Sequence, residues 1–104
     1  MSSENCTENK KVLYLTLKKR WFDEILQGKK KIEYREIKPY WTKRFLTSEG
    51  KPRKFDTVFF RNGYSKDSRK MEVEFNGLTI GEEYEILLGN ILAIGKDIIP
   101  KRYS

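Results

Sequence analysis

From residue 57 onward the chain is a succession of strand patterns separated by glycine turns, and this density of β structure constrains the fold more than any other feature. Residues 57–61, T-V-F-F-R, make an apolar run closed by the turn signal Asn62–Gly63. Residues 70–75 alternate, which predicts Met71, Val73 and Phe75 facing a core, with Glu72 and Glu74 facing out. Asn76–Gly77 predicts a type I′ hairpin turn into a short strand at 78–80. Residues 84–94 form a long apolar run interrupted at Gly89–Asn90. That interruption is either a hairpin turn or a bulge that bends one strand round a barrel corner.

The first half supplies the helices. Residues 12–17 are a dense strand pattern with Leu13, Leu15 and Leu17 on one face. Over 18–27 the period changes, and Trp21, Phe22, Ile25 and Leu26 fall on one side of an amphipathic helix that Gly28 can cap. Residues 31–37 read as a second strand, with Ile32 and Tyr34 on one face and Lys31, Glu33, Arg35 and Ile37 on the other. Pro39 suits the first turn of a short helix over 39–46, where Trp41 and Phe45 share a face. The stretch 47–54, T-S-E-G-K-P-R-K, is a basic loop. Two early helices and many short strands indicate an α+β domain on a small, curled sheet of about five to six strands. At 104 residues there is room for one core, so residues 11–104 are expected to be a single domain behind a polar, disordered tail at 1–10.

Composition narrows the chemistry. Hydrophobic residues make up 38% and charged residues 36%, so the core is modest and leans on its 13% of aromatics. The absence of histidine removes the commonest general base, the Ser-His and Cys-His nucleophilic pairs and most zinc sites. Cys6 is the only cysteine, so no intramolecular disulfide forms and a reducing, cytoplasmic compartment is expected. The tail lacks the apolar segment of a signal peptide, and no run approaches the ~20 apolar residues that span a bilayer. A soluble monomer without membrane attachment, cofactor or metal is expected. The net charge of +7 is one-sided: residues 1–54 hold 15 Lys/Arg against 7 Asp/Glu, whereas residues 55–104 hold 7 against 8. Such a field favours a polyanionic partner, with nucleic acid the commonest candidate.

The basic half centres on residues 28–35, G-K-K-K-I-E-Y-R. Exposed ion pairs are worth only ~0–1 kcal/mol, so stability alone explains this gathering poorly. Lys29 and Lys31 are accounted for by the helix macrodipole, whose C-terminal end attracts cations. Lys30, Glu33 and Arg35 are different. Glu33 and Arg35 share a strand face, and a carboxylate there can align the guanidinium so that its planar fork meets a phosphate or a base edge. A structural salt bridge across a barrel edge is the other reading, and the residues leave both open. Trp21, Tyr34, Tyr40, Trp41 and Tyr64 lie near these cations, as base-stacking sites require, although the helical spacing of Trp21 and Trp41 is equally that of core residues. Tyr40 and Tyr64 are the rings expected at the surface. Arg61, Asn62 and Tyr64 form a second polar patch where a strand ends, either an ordinary hairpin loop or the opposing wall of a site.

Taken together, the strand at 13–17, the helix ending at Gly28 and the pattern Gly28-x-Lys30-x-x-Glu33-x-Arg35 resemble the ASCH domain family, over most of residues 11–96. The resemblance implies a PUA-like fold, a small β-barrel with flanking helices, and a cleft lined by Lys30, Glu33 and Arg35. It implies an RNA or nucleotide-like ligand in that cleft; Lys30 and Arg35 are then expected to contact it, with Glu33 orienting Arg35 or accepting from an exocyclic amine, and the residues themselves suggest Lys31, Tyr40, Arg61, Asn62 and Tyr64 beside them. One branch of the family hydrolyses N4-acetylcytidine with a lysine at the position of Lys30 and a threonine where this chain has Glu33. By that likeness the alternative is a nucleoside amidohydrolase in which Glu33 acts as general base and Lys30 polarises a carbonyl. The exchange of a hydroxyl for a carboxylate disfavours it.

Overall fold

Leu13, Leu15 and Leu17 alternate with Tyr14 and Thr16, and this alternation buries one face of the first strand, β1 (Val12–Leu17). The computed structural model describes residues 11–99; the tail at 1–10, with Cys6, and residues 100–104 lie outside the described residues. After β1 the apolar period becomes helical, and α1 (Lys19–Leu26) turns Phe22 and Ile25 into the core. Gly28, at φ +78°, ends the helix in a Schellman cap. Lys29 N–H donates to the Glu24 carbonyl at 2.9 Å, and Gly28 N–H to that of Ile25 at 3.0 Å. The chain then enters β2 (Ile32–Arg35), and Pro39 opens α2 (Pro39–Phe45) at a position where a missing N–H does no harm. The strands β3 (Thr57–Asn62), β4 (Lys70–Ile80) and β5 (Tyr84–Gly95) complete the described chain.

The five strands form one sheet in the order β1-β3-β4-β5-β2, curled as a half-barrel with the two helices beside it, which is the α+β architecture expected. β1 runs parallel to β3, and every other pairing is antiparallel. Leu13, Leu15, Val58, Phe60, Met71, Val73, Tyr84 and Ile86 join Phe22, Ile25 and Phe45 of the helices in one hydrophobic cluster. α2 is fixed to the sheet by Phe45, edge-on to Tyr84 at 5.2 Å between centroids, and by a 2.5 Å hydrogen bond between the Thr42 and Tyr84 hydroxyls. Among the described residues no helix is long and apolar enough to cross a membrane.

Two expectations about the β-rich half need correction, and one pair of alternatives is decided. Asn76–Gly77 makes no hairpin turn: a type I′ turn needs positive φ at both central residues, and Gly77 has it (φ +132°) while Asn76 does not. β4 instead runs through the pair with one extra residue, a bulge, and the hairpin closes at residues 81–83. Gly89–Asn90 is the bulge of the two alternatives, because between Phe75↔Leu88 and Val73↔Ile91 β5 has two residues where β4 has only Glu74. Nor does Glu72 face solvent. Met71, Glu72 and Val73 are all buried, so the middle of β4 is covered on both faces and a period of two cannot separate inside from outside. The Glu72 carboxylate accepts from the Thr57 hydroxyl at 2.6 Å. Glu74 reaches across to the bulge, where it accepts from Asn90 N–H at 2.9 Å.

Gly89 is required at that bulge. A Cβ there would lie 2.7 Å from Glu74 Oε1 and 2.9 Å from Glu74 Cβ, and the latter cannot swing away. Gly89→Ala is expected to cost about 1–3 kcal/mol through overpacking, read as a lower urea midpoint with an unchanged slope. A second tie responds to pH. Lys19 donates to Asp23 at 2.8 Å and Arg69 at 2.6 Å, and these hydrogen bonds hold the Asp23 carboxyl below its ordinary value of 3.8. A depressed folded-state value stabilises above the unfolded value and is lost as pH falls through it. The melting-temperature advantage of the wild type over Asp23→Asn should therefore be full at about pH 6 and shrink towards about pH 2.

Candidate functional site

Because the sheet stops at a half-barrel, its first and last strands, β1 and β2, are edges that share no backbone ladder. The opening beside them is a cleft of about 990 Å³. Strand register decides what faces it. Glu33 pairs with Ile86 and Arg35 with Tyr84, both buried core residues, so the two charged side chains of β2 lie on the inner face of the sheet. Lys30 reaches them from the turn after α1, where its N–H is held by the Glu24 carbonyl at 3.1 Å.

The three side chains converge. Glu33, only 4% exposed, is ion-paired to Lys30 at 3.3 Å through one carboxylate oxygen and to Arg35 through the other. Arg35 also donates to the Tyr34 carbonyl at 2.8 Å and, across the opening, to the Thr16 carbonyl of β1 at 3.1 Å. One guanidinium thus links the two edges of the sheet. Of the alternatives in the sequence the salt bridge is present, and the same contacts fix the orientation of the guanidinium. Of the five N–H donors of Arg35, three are used in these bonds, and Lys30 spends one of its three on Glu33. The remainder have no hydrogen-bond partner among the described residues.

Aromatic rings frame the cations. Lys30 Nζ lies 5.0 Å from the centroids of both Trp21 and Tyr34, and the Arg35 guanidinium 5.2 Å from that of Trp41. Tyr14, Tyr40 and Tyr64 complete the lining, the last two 58% and 83% exposed as expected. Trp21 and Trp41 are half-buried: each packs against the core with one side and faces the cleft with the other. Lys18 adds a third cation, so the lining holds three positive groups against the single carboxylate of Glu33. Such a site suits a planar, anionic ligand: rings for stacking, with cations already oriented by a buried carboxylate.

Not all the predicted residues take part. Lys31 is exposed and borders a separate hollow of about 160 Å³ beside Gly89. Arg61 turns into its own loop, donating to the Tyr64 and Ser65 carbonyls at 3.2 and 3.1 Å, and of the Arg61, Asn62 and Tyr64 patch only Tyr64 lines the cleft. The reason is topological: β3 is an interior strand behind β1, and only the loop beyond it reaches the opening. Sequence reasoning missed Tyr14, Thr16 and Lys18, which enter because β1 is an edge, a fact fixed by strand order and invisible to periodicity. Among the described residues no three His, Cys, Asp or Glu side chains gather closely enough to hold a metal ion.

Comparison of the chain with protein-family models, with curated proteins and with solved structures finds no match in any of the three. The site's own geometry predicts its energetics. Removing one member of a buried ion pair typically costs about 3–5 kcal/mol, and here Lys30 and Arg35 can regain some water through the cleft. Glu33→Ala should therefore lose roughly 2–3 kcal/mol of unfolding free energy by urea denaturation, and Lys30→Ala less, since Glu33 keeps Arg35.

Proposed function

We propose that this protein is a PUA-like module of the ASCH type that binds RNA, or a nucleotide-like ligand, in the cleft between β1 and β2. The observation that carries the reading is the convergence of Lys30 and Arg35 on a buried Glu33 within a frame of six aromatic rings. Phosphate would meet the spare donors of Lys30 and Arg35, with Lys18 adding to the local field. Bases would stack on the rings at the rim. Single-stranded nucleic acid fits best, because its bases are free to stack and its phosphates are flexible enough to follow the cations. The basic excess in residues 1–54 would steer such a ligand to this side.

The amidohydrolase alternative draws on one observation, the contact of Lys30 with Glu33 at 3.3 Å. Against it, both Glu33 oxygens are engaged by cations, one by Lys30 and the other by Arg35, so the carboxylate already serves as an ion-pair partner. Binding without turnover is the better account.

Fluorescence anisotropy with labelled single-stranded RNA, hairpin RNA and matched DNA tests the reading at two salt concentrations. Tyr64 is almost fully exposed, so Tyr64→Ala should leave the melting temperature unchanged while weakening single-stranded RNA by about 1–3 kcal/mol, roughly fivefold to a hundredfold. Lys30→Ala should weaken it and make the salt dependence shallower. Binding that ignores both variants would reject the cleft as the site. Release of free cytidine from N4-acetylcytidine, above a Lys30→Ala control, would instead establish the hydrolase.

A further inference from the structure

Behind the cleft lies a second basic feature that the function above leaves unused. Lys43, Arg44, Lys51, Arg53 and Lys54, all exposed, lie on α2 and the loop that follows it, and Lys11 precedes β1. Among the described residues none of Lys11, Lys43, Lys51, Arg53 and Lys54 makes an ion pair. Among the described residues the carboxylates nearest in sequence are Glu49 at the loop tip and Asp56, and Asp56 accepts from the backbone N–H of Lys11 at 2.8 Å. Lys19, Lys30 and Lys38 each have a carboxylate partner, whereas Lys18, Lys29 and Lys31, like these five, have none among the described residues. Solvated lysines at a helix C-terminus would explain Lys43 and Arg44 through the macrodipole, but not the three cations of the loop.

The loop is not loose. Arg53 N–H donates to the Phe45 carbonyl at 2.8 Å, Leu46 pairs with Pro52 in an isolated bridge, and Thr47 accepts from the N–H groups of Glu49 and Lys51 through its hydroxyl. This anchoring holds Arg53 and Lys54 over a hollow of about 420 Å³ shared with Lys11 and Thr47. The hollow and the cleft are joined by two common walls. α2 presents Tyr40 and Trp41 to the cleft and ends beside Thr47, while β1 presents Tyr14 and Thr16 to the cleft and begins at the hollow with Val12. Between them Arg44 stacks its guanidinium 4.6 Å from the Tyr40 ring, a cation at the rim of the cleft. Seven residues of helix advance ~10 Å, and four of strand ~13 Å. A few nucleotides of one extended strand span either length.

We infer that a single RNA strand held in the cleft continues along α2, past Arg44, to a second phosphate-binding subsite formed by Lys11, Arg53 and Lys54. The inference rests on the reading of the cleft as a nucleic-acid site and extends it: the ligand is an oligonucleotide of several residues, not a free nucleotide. The cleft supplies stacking, and the hollow supplies backbone charge without base contacts.

The test measures anisotropy of labelled single-stranded RNAs of about 3 and about 12 nucleotides, across a salt series, with the wild type, the loop variant Lys11→Gln/Arg53→Gln/Lys54→Gln and the cleft variant Lys30→Ala. All three positions of the loop variant are exposed, and a thermal melt verifies that the fold is kept. In the loop variant the 12-mer should bind about tenfold or more weakly near physiological salt, with a log–log salt slope shallower by roughly 2, that is ~0.7 for each of three phosphate contacts. The 3-mer should bind as in the wild type. In the cleft variant both RNAs should weaken. If the loop variant binds the 12-mer with unchanged affinity and slope while Lys30→Ala still weakens it, the cleft stands and the second subsite is overturned. If Lys30→Ala weakens neither RNA, or no RNA binds, the cleft reading fails and the track fails with it. Competition by polyglutamate as effective as by polyuridylate would reveal a surface for acidic proteins and would equally overturn the inference.

Discussion

A carboxylate buried between two cations organises this molecule. Glu33 could not sit on the inner face of the sheet as an isolated charge, since desolvation would push it out or neutralise it. Held by Lys30 and Arg35 it stays, and in staying it fixes both cations. Arg35 in turn reaches the Thr16 carbonyl on the opposite edge. The opening of the half-barrel is therefore spanned by a charged side chain in place of a strand. The same donors that steady the fold form the floor of the proposed binding site, so stability and recognition draw on one set of residues. Such a site is pre-organised: its cations are oriented before any ligand arrives, which reduces the ordering that binding must impose.

The geometry of that opening is set elsewhere, in β4 and β5. Bulges at Asn76 and at Gly89–Asn90 shift the register of the long hairpin and sharpen its curl. Glu74 satisfies the amide of Asn90 at the bulge, and Gly89 leaves room for that carboxylate. Through β5 the bend carries β2 towards β1. The floor of the cleft thus depends on residues that never touch it.

Much of this was legible in the sequence, and the failures share one cause. Periodicity located both helices and the strands to within a few residues, because apolar spacing reports directly on which face a lone element buries. Gly28 read correctly as a cap because a Schellman turn is a local motif. The convergence of Lys30, Glu33 and Arg35 was anticipated as a possibility from their spacing, and strand register made it actual. Glu72 misled because a central strand buried on both faces carries no alternation. Asn76–Gly77 misled because a dipeptide that favours a turn also accommodates a bulge, and the competing strand pairing won. Arg61 and Asn62 were placed on the wall of the site, whereas strand order puts β3 inside the sheet and exposes β1. What the sequence withholds is neighbourhood: which strand lies at an edge is a property of the whole sheet.

The parallel pairing of β1 with β3 has a consequence for the order of assembly. β4 and β5 are joined by a turn of three residues, 81–83, whereas α1, β2, α2 and the basic loop all intervene between Leu17 and Thr57. Loop-closure entropy grows with the length of chain enclosed, so the hairpin closes early and the parallel pair late. β2 meets β5 across an interval of similar length and belongs to the same late class. Since Arg35 can bridge the edges only after both have docked, the cleft exists only in the finished molecule. A nascent or partly folded chain, however basic, lacks it, and the recognition proposed for the cleft would be a property of the mature fold and not of its charge.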